Sequence, residues 1–268
     1  MTKLLLLGPK GTYCDIAATL LDNEYSLEYF PSITKVLNNV SDSGYALVPF
    51  ENTLDGFVLE SLDGIIDNNL KIISEVKLPI DFVFVSKTKS INEVKYVYTQ
   101  FKVYGQCLDF ISSNNFDVIR TESNTLTLNN YNESSSEYAA IIPIHLKDKA
   151  MYNFSLDHVQ DSLENETRFV LVRKNGQYSE FESTFLASLV ITTKEDKPGV
   201  LYDILDEFHK LDINLNSILS RPLRTKMGKY KFYIECLLDN KKDYLDGLSI
   251  NLSKQGFDVT ILGKYNKL

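Results

Sequence analysis

Through about residue 175 this chain alternates short apolar runs with stretches of helical periodicity, and that alternation restricts its fold more than any other feature. Strands are predicted at 3–7, 27–30, 45–48, 96–99, 118–121 and 139–142, with a long apolar run over 72–85 interrupted at Pro79. Helical patterns fall at 12–21, after Ser32, near 57–66 and at 108–112. Ser32 is suited to cap a helix start and Pro143 to the first turn of another helix. Strands alternating with helices favour an α/β domain with a mostly parallel sheet. The segment 174–184 is mostly polar and is predicted to be a linker. Beyond it the pattern changes to a strand at 185–192, a helix from Lys197-Pro198-Gly199 to about 211, strands at 213–220 and 230–238, a helix at 244–255 and a strand at 257–262. That order, βαββαβ, is the ferredoxin-like arrangement.

At 268 residues the chain exceeds one average domain. The net charge of −8 argues against a nucleic-acid or anionic-membrane partner, because both need basic patches, but it leaves room for a small anionic substrate met by a local cation. No apolar run approaches the roughly 20 residues that span a bilayer. Residues 4–7 are a short strand rather than a signal-peptide core. Cys14, Cys107 and Cys236 are odd in number and far apart, which fits a reducing cytoplasm and neither a disulfide framework nor a zinc site. His145, His158 and His209 form no metal-like pair. A cytoplasmic protein without metal or cofactor is expected.

The segments able to carry chemistry lie at strand ends. Asp161 to Phe169 places a hydroxyl (Thr167), a fixed cation (Arg168) and a ring (Phe169) at the entrance of the apolar run Val170-Leu171-Val172. Arginine is scarce, five against twenty-three lysines. Arg168 is therefore either a carboxylate clamp, through its planar fork, or a surface residue on an edge strand. Gly8-Pro9-Lys10-Gly11-Thr12 is either an anion-binding turn or a plain strand-to-helix turn. Glu51-Asn52-Thr53 with Gly56 offers neutral hydrogen bonds and close backbone approach, or else only a helix cap. Neither a Ser-His-Asp set nor a nucleotide fingerprint is visible in the sequence.

Taken together, Gly8-Pro9-Lys10-Gly11-Thr12-Tyr13, then Pro49-Phe50-Glu51-Asn52-Thr53-Leu54-Asp55-Gly56, then Asn165-Glu166-Thr167-Arg168-Phe169 resemble the motifs of prephenate dehydratases, in the same order. Pro198-Gly199-Val200-Leu201, Ile213-Asn214-Leu215 and Ser220-Arg221-Pro222 are similar to the C-terminal ACT domain of that family. The resemblance implies a catalytic domain over 1–178, with two α/β lobes like those of type II periplasmic binding proteins. The first lobe would take about 1–76 and 161–178 and the second about 77–160, with the active site in the cleft. An ACT regulatory domain would follow over 184–268. It further implies conversion of prephenate to phenylpyruvate, a homodimer or homotetramer, and feedback by L-phenylalanine. Arogenate dehydratase and a non-catalytic amino-acid-sensing binding protein are the alternatives.

By this resemblance Thr167 donates to the departing hydroxyl, Arg168 anchors the pyruvyl carboxylate, and Asn52, Thr99 and Gln106 complete the catalytic set. Thr12, Glu51, Thr53, Gly56, Ser123 and Phe169 would line the substrate. Gly199, Val200, Leu201, Asn214, Leu215, Ser220, Arg221 and Pro222 would hold the effector. The chain departs from the family in several places. Thr99-Gln100-Phe101-Lys102 stands where Ser-His-Pro-Gln is usual, Cys14 replaces a serine, and Leu219 replaces the glutamate before Ser-Arg-Pro. The segment 122–127 carries larger residues than the family's Ser-Thr-Ala-Ala stretch.

Overall fold

The computed structural model describes residues 2–21, 24–174, 186–193, 197–222, 230–238 and 244–266. Apart from Lys174, the predicted linker lies outside them. In chain order they form β1 (Thr2–Leu7), α1 (Tyr13–Ala18), β2 (Tyr25–Phe30), α2 (Ile33–Asn38), β3 (Tyr45–Asn52), β4 (Gly56–Phe57), α3 (Leu59–Asp67), β5 (Lys71–Pro79) and β6 (Phe82–Ser86). Then follow β7 (Tyr96–Gln100), α4 (Phe101–Gln106), α5 (Leu108–Asn114), β8 (Asp117–Thr121), α6 (Asn124–Glu133), β9 (Tyr138–Pro143), β10 (Phe154–Asp157) and β11 (Glu166–Arg173). The C-terminal part comprises β12 (Leu186–Thr193), α7 (Val200–Lys210), β13 (Leu215–Pro222), β14 (Tyr230–Leu237), α8 (Tyr244–Lys254) and β15 (Phe257–Tyr265).

Several boundaries follow from local chemistry. The Ser32 hydroxyl accepts the Lys35 N–H at 3.2 Å and caps α2. Pro79 ends β5, which splits the long apolar run into two strands. Pro143 closes β9 and leads into a 3₁₀ helix, Ile144–Lys149, rather than the expected α-helix. Several elements escaped the sequence reading, among them the two-residue strand β4. Helix α6 is polar, with Thr127, Leu128 and Tyr131 as its buried face, and α4 and β10 are short.

The chain divides into two units. The first comprises residues 1–51, 57–77 and 168–268. One of its sheets has the order β2-β1-β3-β11-β5, in which β1 runs parallel to both β2 and β3. The other is antiparallel, with the order β13-β14-β12-β15 and the connectivity βαββαβ. Strand β12 explains why its run shows no polar alternation. Ala187, Leu189 and Ile191 pack with Ile204 and Phe208 of α7 and Leu245, Leu248 and Leu252 of α8. Leu186 and Val190 point the other way, into a core shared with Phe50, Leu62, Ile72 and Val170. A strand buried on both faces favours apolar side chains throughout, and the buried Ser188 is accommodated by hydrogen bonds to Tyr233 and Tyr265.

The second unit comprises residues 52–56 and 78–167. Its sheet has the order β10-β6-β9-β7-β8. Strand β7 is parallel to β8 and β9, whereas β6 is antiparallel to both β9 and β10. This corrects the expectation of a mostly parallel sheet: the spacing of apolar runs carries no information on strand direction. Val83, Val85, Ala140 and Ile142 pack with Leu128 and Tyr131 of α6, and Phe84, on the other face of β6, packs against Phe110, Phe116 and Phe154. Among the described residues no helix is long and apolar enough to cross a membrane.

Candidate active site

Strands β3 and β11 carry the chain between the units, at Glu51/Asn52 and Thr167/Arg168. Neighbouring strand residues point to opposite faces. Thr167 and Arg168 therefore enter different environments.

In the second unit Asn52 is the hub. Its Oδ1 accepts the backbone N–H groups of Leu54 (3.0 Å) and Asp55 (3.1 Å), so the side chain builds its own turn. Its Nδ2 lies within donating distance of Asn165 Oδ1 (2.8 Å), the Glu166 carbonyl (3.0 Å) and Thr167 Oγ1 (3.0 Å). Asn165 Nδ2 in turn donates to Gln106 Oε1 at 3.1 Å. Thr53 stitches the same loop: its hydroxyl donates to the Glu164 carbonyl and accepts the Glu166 N–H, both at 3.0 Å. Gly56 sits at φ +74°, in the left-handed region that ends this turn at no steric cost. Asp161 fixes the other end of the segment. Its carboxylate accepts the N–H groups of Leu108 and Asp109 at the start of α5, while its own N–H donates to the Gln106 carbonyl.

Asn52, Gln106 and Thr167, 115 residues apart at the extremes, are thus joined in one network. A threonine hydroxyl has one hydrogen and two lone pairs. With Asn52 donating to Thr167 Oγ1, the Thr167 hydrogen is left for an outside acceptor. Asn165, which completes the network, escaped the site prediction although it lies in the Asn165–Phe169 motif. Its only signal in the sequence was that position.

Arg168 belongs to the first unit and is 6% exposed. Its Nη1 lies 3.0 Å from Glu75 and 2.7 Å from Glu235, and its Nη2 lies 2.9 Å from Glu51 without hydrogen-bond geometry. The guanidinium also lies over the Phe50 ring, 5.2 Å from its centroid. Glu235 further accepts from Asn216 (2.7 Å) and Tyr265 (2.8 Å). Burial works against the charge on Arg168, but Glu235 and the surrounding hydrogen bonds hold its pKa above the usual value. Burial raises the pKa of Glu75, which Arg168 only partly offsets. The expected substrate clamp is therefore a buried cation already surrounded by three carboxylates.

Other expected residues have contacts of their own. Phe169 is buried in the core. Thr99 is fully buried in β7, where its carbonyl accepts from Thr121 and, among the described residues, its hydroxyl has only a 3.5 Å contact with the Gln100 carbonyl. The Ser123 hydroxyl caps α6 by accepting the Leu126 N–H. Thr12 donates to the Leu7 carbonyl, and Glu51 faces Arg168.

In the C-terminal sheet Gly199 has φ +90° at the start of α7, followed by buried Val200 and exposed Leu201. Asn214 accepts the Leu237 N–H through its carbonyl, and Leu215, Ser220, Arg221 and Pro222 lie on β13, paired with β14. Arg221 is occupied by Asp63 of α3 at 2.5 Å, and Lys231 joins the pair at 3.2 Å. Burial of Asp63 is outweighed by these two cations, and its pKa is lowered. Burial pushes the Cys14, Cys107 and Cys236 thiols up to about 12, so all three stay protonated at neutral pH.

This architecture, mixed α/β with several sheets, places the chain among multi-sheet α/β enzymes. The family model for prephenate dehydratase matches residues 4–177, and the chain belongs to that family. The prephenate dehydratase of Methanocaldococcus jannaschii is 32% identical over 265 residues, covering 96% of this chain and 95% of that protein. The crystal structure of the prephenate dehydratase from Staphylococcus aureus superposes with a TM-score of 0.86 at 27% identity, over 99% of this chain and all of the other. A prephenate dehydratase from Arthrobacter aurescens in complex with L-Phe gives 0.82 at 26% identity, over 99% and 90%.

Proposed function

We propose that this chain converts prephenate to phenylpyruvate, carbon dioxide and water. The bond between the ring and its carboxylate breaks, the electron pair enters the ring, and the bond to the ring hydroxyl breaks. Aromatisation drives the step, so the protein must mainly position the substrate and ease departure of hydroxide. Thr167 is the donor to that oxygen, strengthening its hydrogen bond as negative charge develops and relaying a proton taken up from solvent so that water leaves. Asn52 and Gln106 orient the substrate. The observation that carries this reading is the contact from Asn52 Nδ2 to Thr167 Oγ1, which occupies a lone pair of the hydroxyl and leaves its hydrogen available to donate. Arg168 is left out of substrate binding in this proposal, because its charge is already matched by Glu51, Glu75 and Glu235.

Residues 1–178 are the catalytic part in this reading, and 184–268 an ACT regulatory domain that binds L-phenylalanine, with Gly199, Val200 and Leu201 of one chain facing Asn214 and Leu215 of another in a homo-oligomer. The βαββαβ order and the L-Phe complex of a family member support it. Leu219 in place of the usual glutamate is expected to weaken the response. The test is phenylpyruvate formation from prephenate, with and without L-phenylalanine, in the parent and in Thr167→Ala. Turnover is expected to fall at least about a hundredfold in the variant, the range for lost acid assistance. Parent-like turnover in a folded variant would remove Thr167 from the mechanism, and unchanged kinetics and sedimentation at saturating L-phenylalanine would reject the regulatory role.

A further inference from the structure

The network around Asn52 has a direction. The N–H groups of Leu54 and Asp55 can only donate, so the atom they meet on Asn52 must be its oxygen. The Glu166 carbonyl can only accept, which independently assigns the other end of Asn52 as its nitrogen. Asn165, 2% exposed, must then present its oxygen to Asn52 and its nitrogen to Gln106. Gln106 must receive that donor with its oxygen, which turns its own NH₂ away. Among the described residues neither the Gln106 NH₂ nor the Thr167 hydroxyl hydrogen has an acceptor.

We infer that Asn165 is a positioning residue that sets the donor polarity of Gln106, so that the Gln106 NH₂ joins the Thr167 hydroxyl, which Asn52 already orients, in presenting hydrogens to the substrate. This rests on the proposed reading of Asn52, Gln106 and Thr167 as the substrate-facing set. An amide suits the task because it accepts on one side and donates on the other. A carboxylate accepts on both sides and would force Gln106 to turn its nitrogen inward and its carbonyl outward. A protonated carboxyl restores the amide's pattern, accepting from Asn52 through its carbonyl and donating to Gln106 through its hydroxyl. Asn165 is locked in place, since its backbone carbonyl accepts the Ile80 N–H at 2.8 Å.

The test compares parent, Asn165→Asp and Gln106→Glu, with kcat and KM for prephenate measured from about pH 5.5 to 8.5, a window reached by a carboxyl whose pKa burial has raised. Asn165→Asp is expected to lose about a hundredfold in kcat at the alkaline end, as for a lost positioned donor, and to regain activity relative to the parent as pH falls. The charged residues adjoining the cluster, among the described residues, are Asp161, the Asp55–Lys102 pair and, through their backbone carbonyls, Glu164 and Glu166. All are common to parent and variant, so the ratio of the two isolates the new carboxyl. A variant-to-parent ratio that stays flat across pH in a folded protein overturns the inference. If Asn165→Asp does not fold, Gln106→Glu decides in the same way. It keeps the acceptor for Asn165 but replaces the outward N–H by an oxygen that donates only when protonated, and a flat ratio there also overturns the inference. Exchange of the Gln106 side-chain NH₂, followed by NMR without substrate, reads the polarity independently of activity. Slowed exchange in Asn165→Asp supports the inference and unchanged exchange overturns it. A parent protein inactive on prephenate would sink the proposed activity and leave the exchange result to decide the polarity.

Discussion

Replacing Arg168 by methionine separates its two possible roles. The substitution keeps a long apolar stem and removes the cation that faces Glu75 (1% exposed) and Glu235 (fully buried). Breaking a buried ion pair from one side costs about 3–5 kcal/mol, because the remaining charge stays desolvated. For a chain of this size each kcal/mol shifts the midpoint by about 2–4 °C, so melting should fall by about 6–20 °C near neutral pH. The loss should shrink in acid, where a protonated carboxyl has no charge to compensate. Differential scanning calorimetry of parent and Arg168→Met at several pH values measures this. Prephenate kinetics below the lower midpoint then provides the contrast. Because Thr167 is the adjacent residue, some fall in kcat is expected, whereas KM should change little. A variant that melts with the parent while its KM rises tenfold or more would refute the structural reading and restore Arg168 as a carboxylate clamp.

Glu75→Gln should stabilise the protein increasingly as pH rises. The folded-state pKa of Glu75 is raised, so its favourable contribution is full below the ordinary glutamate range and is lost as pH climbs through the folded value. A Tm difference between variant and parent that does not grow over that window would contradict the assignment. Gly263→Ala should destabilise by about 1–3 kcal/mol, as overpacking does, since its Cβ would lie 2.2 Å from the Ile72 carbonyl oxygen. Urea unfolding at the parental midpoint would show that β15 can move away from β5.

The predicted strands and helices mostly form where the periodicity placed them, because burying one face or both leaves a readable apolar pattern. Ser32, Pro79 and the βαββαβ order were legible for the same local reasons. Short or polar elements such as α4, α6 and β10 were not, since few apolar positions mark them. The motifs drew attention to Asn52, Gln106 and Thr167, which the fold joins through Asn165. Thr99 and Phe169 came from the same motif positions and are buried in strands instead.

By itself, then, the sequence determined most of the elements, their order and the family, because these follow from local propensity and from residue types at fixed spacing. Only the tertiary structure decided that Arg168 meets Glu235, 67 residues later, and that Arg221 meets Asp63, 158 residues earlier. Only it brought Gly263 against Ile72. A charge in the sequence carries no mark of its partner: whether it waits for a ligand or is already matched depends on which distant strands pack beside it, and on how little water remains there to screen it.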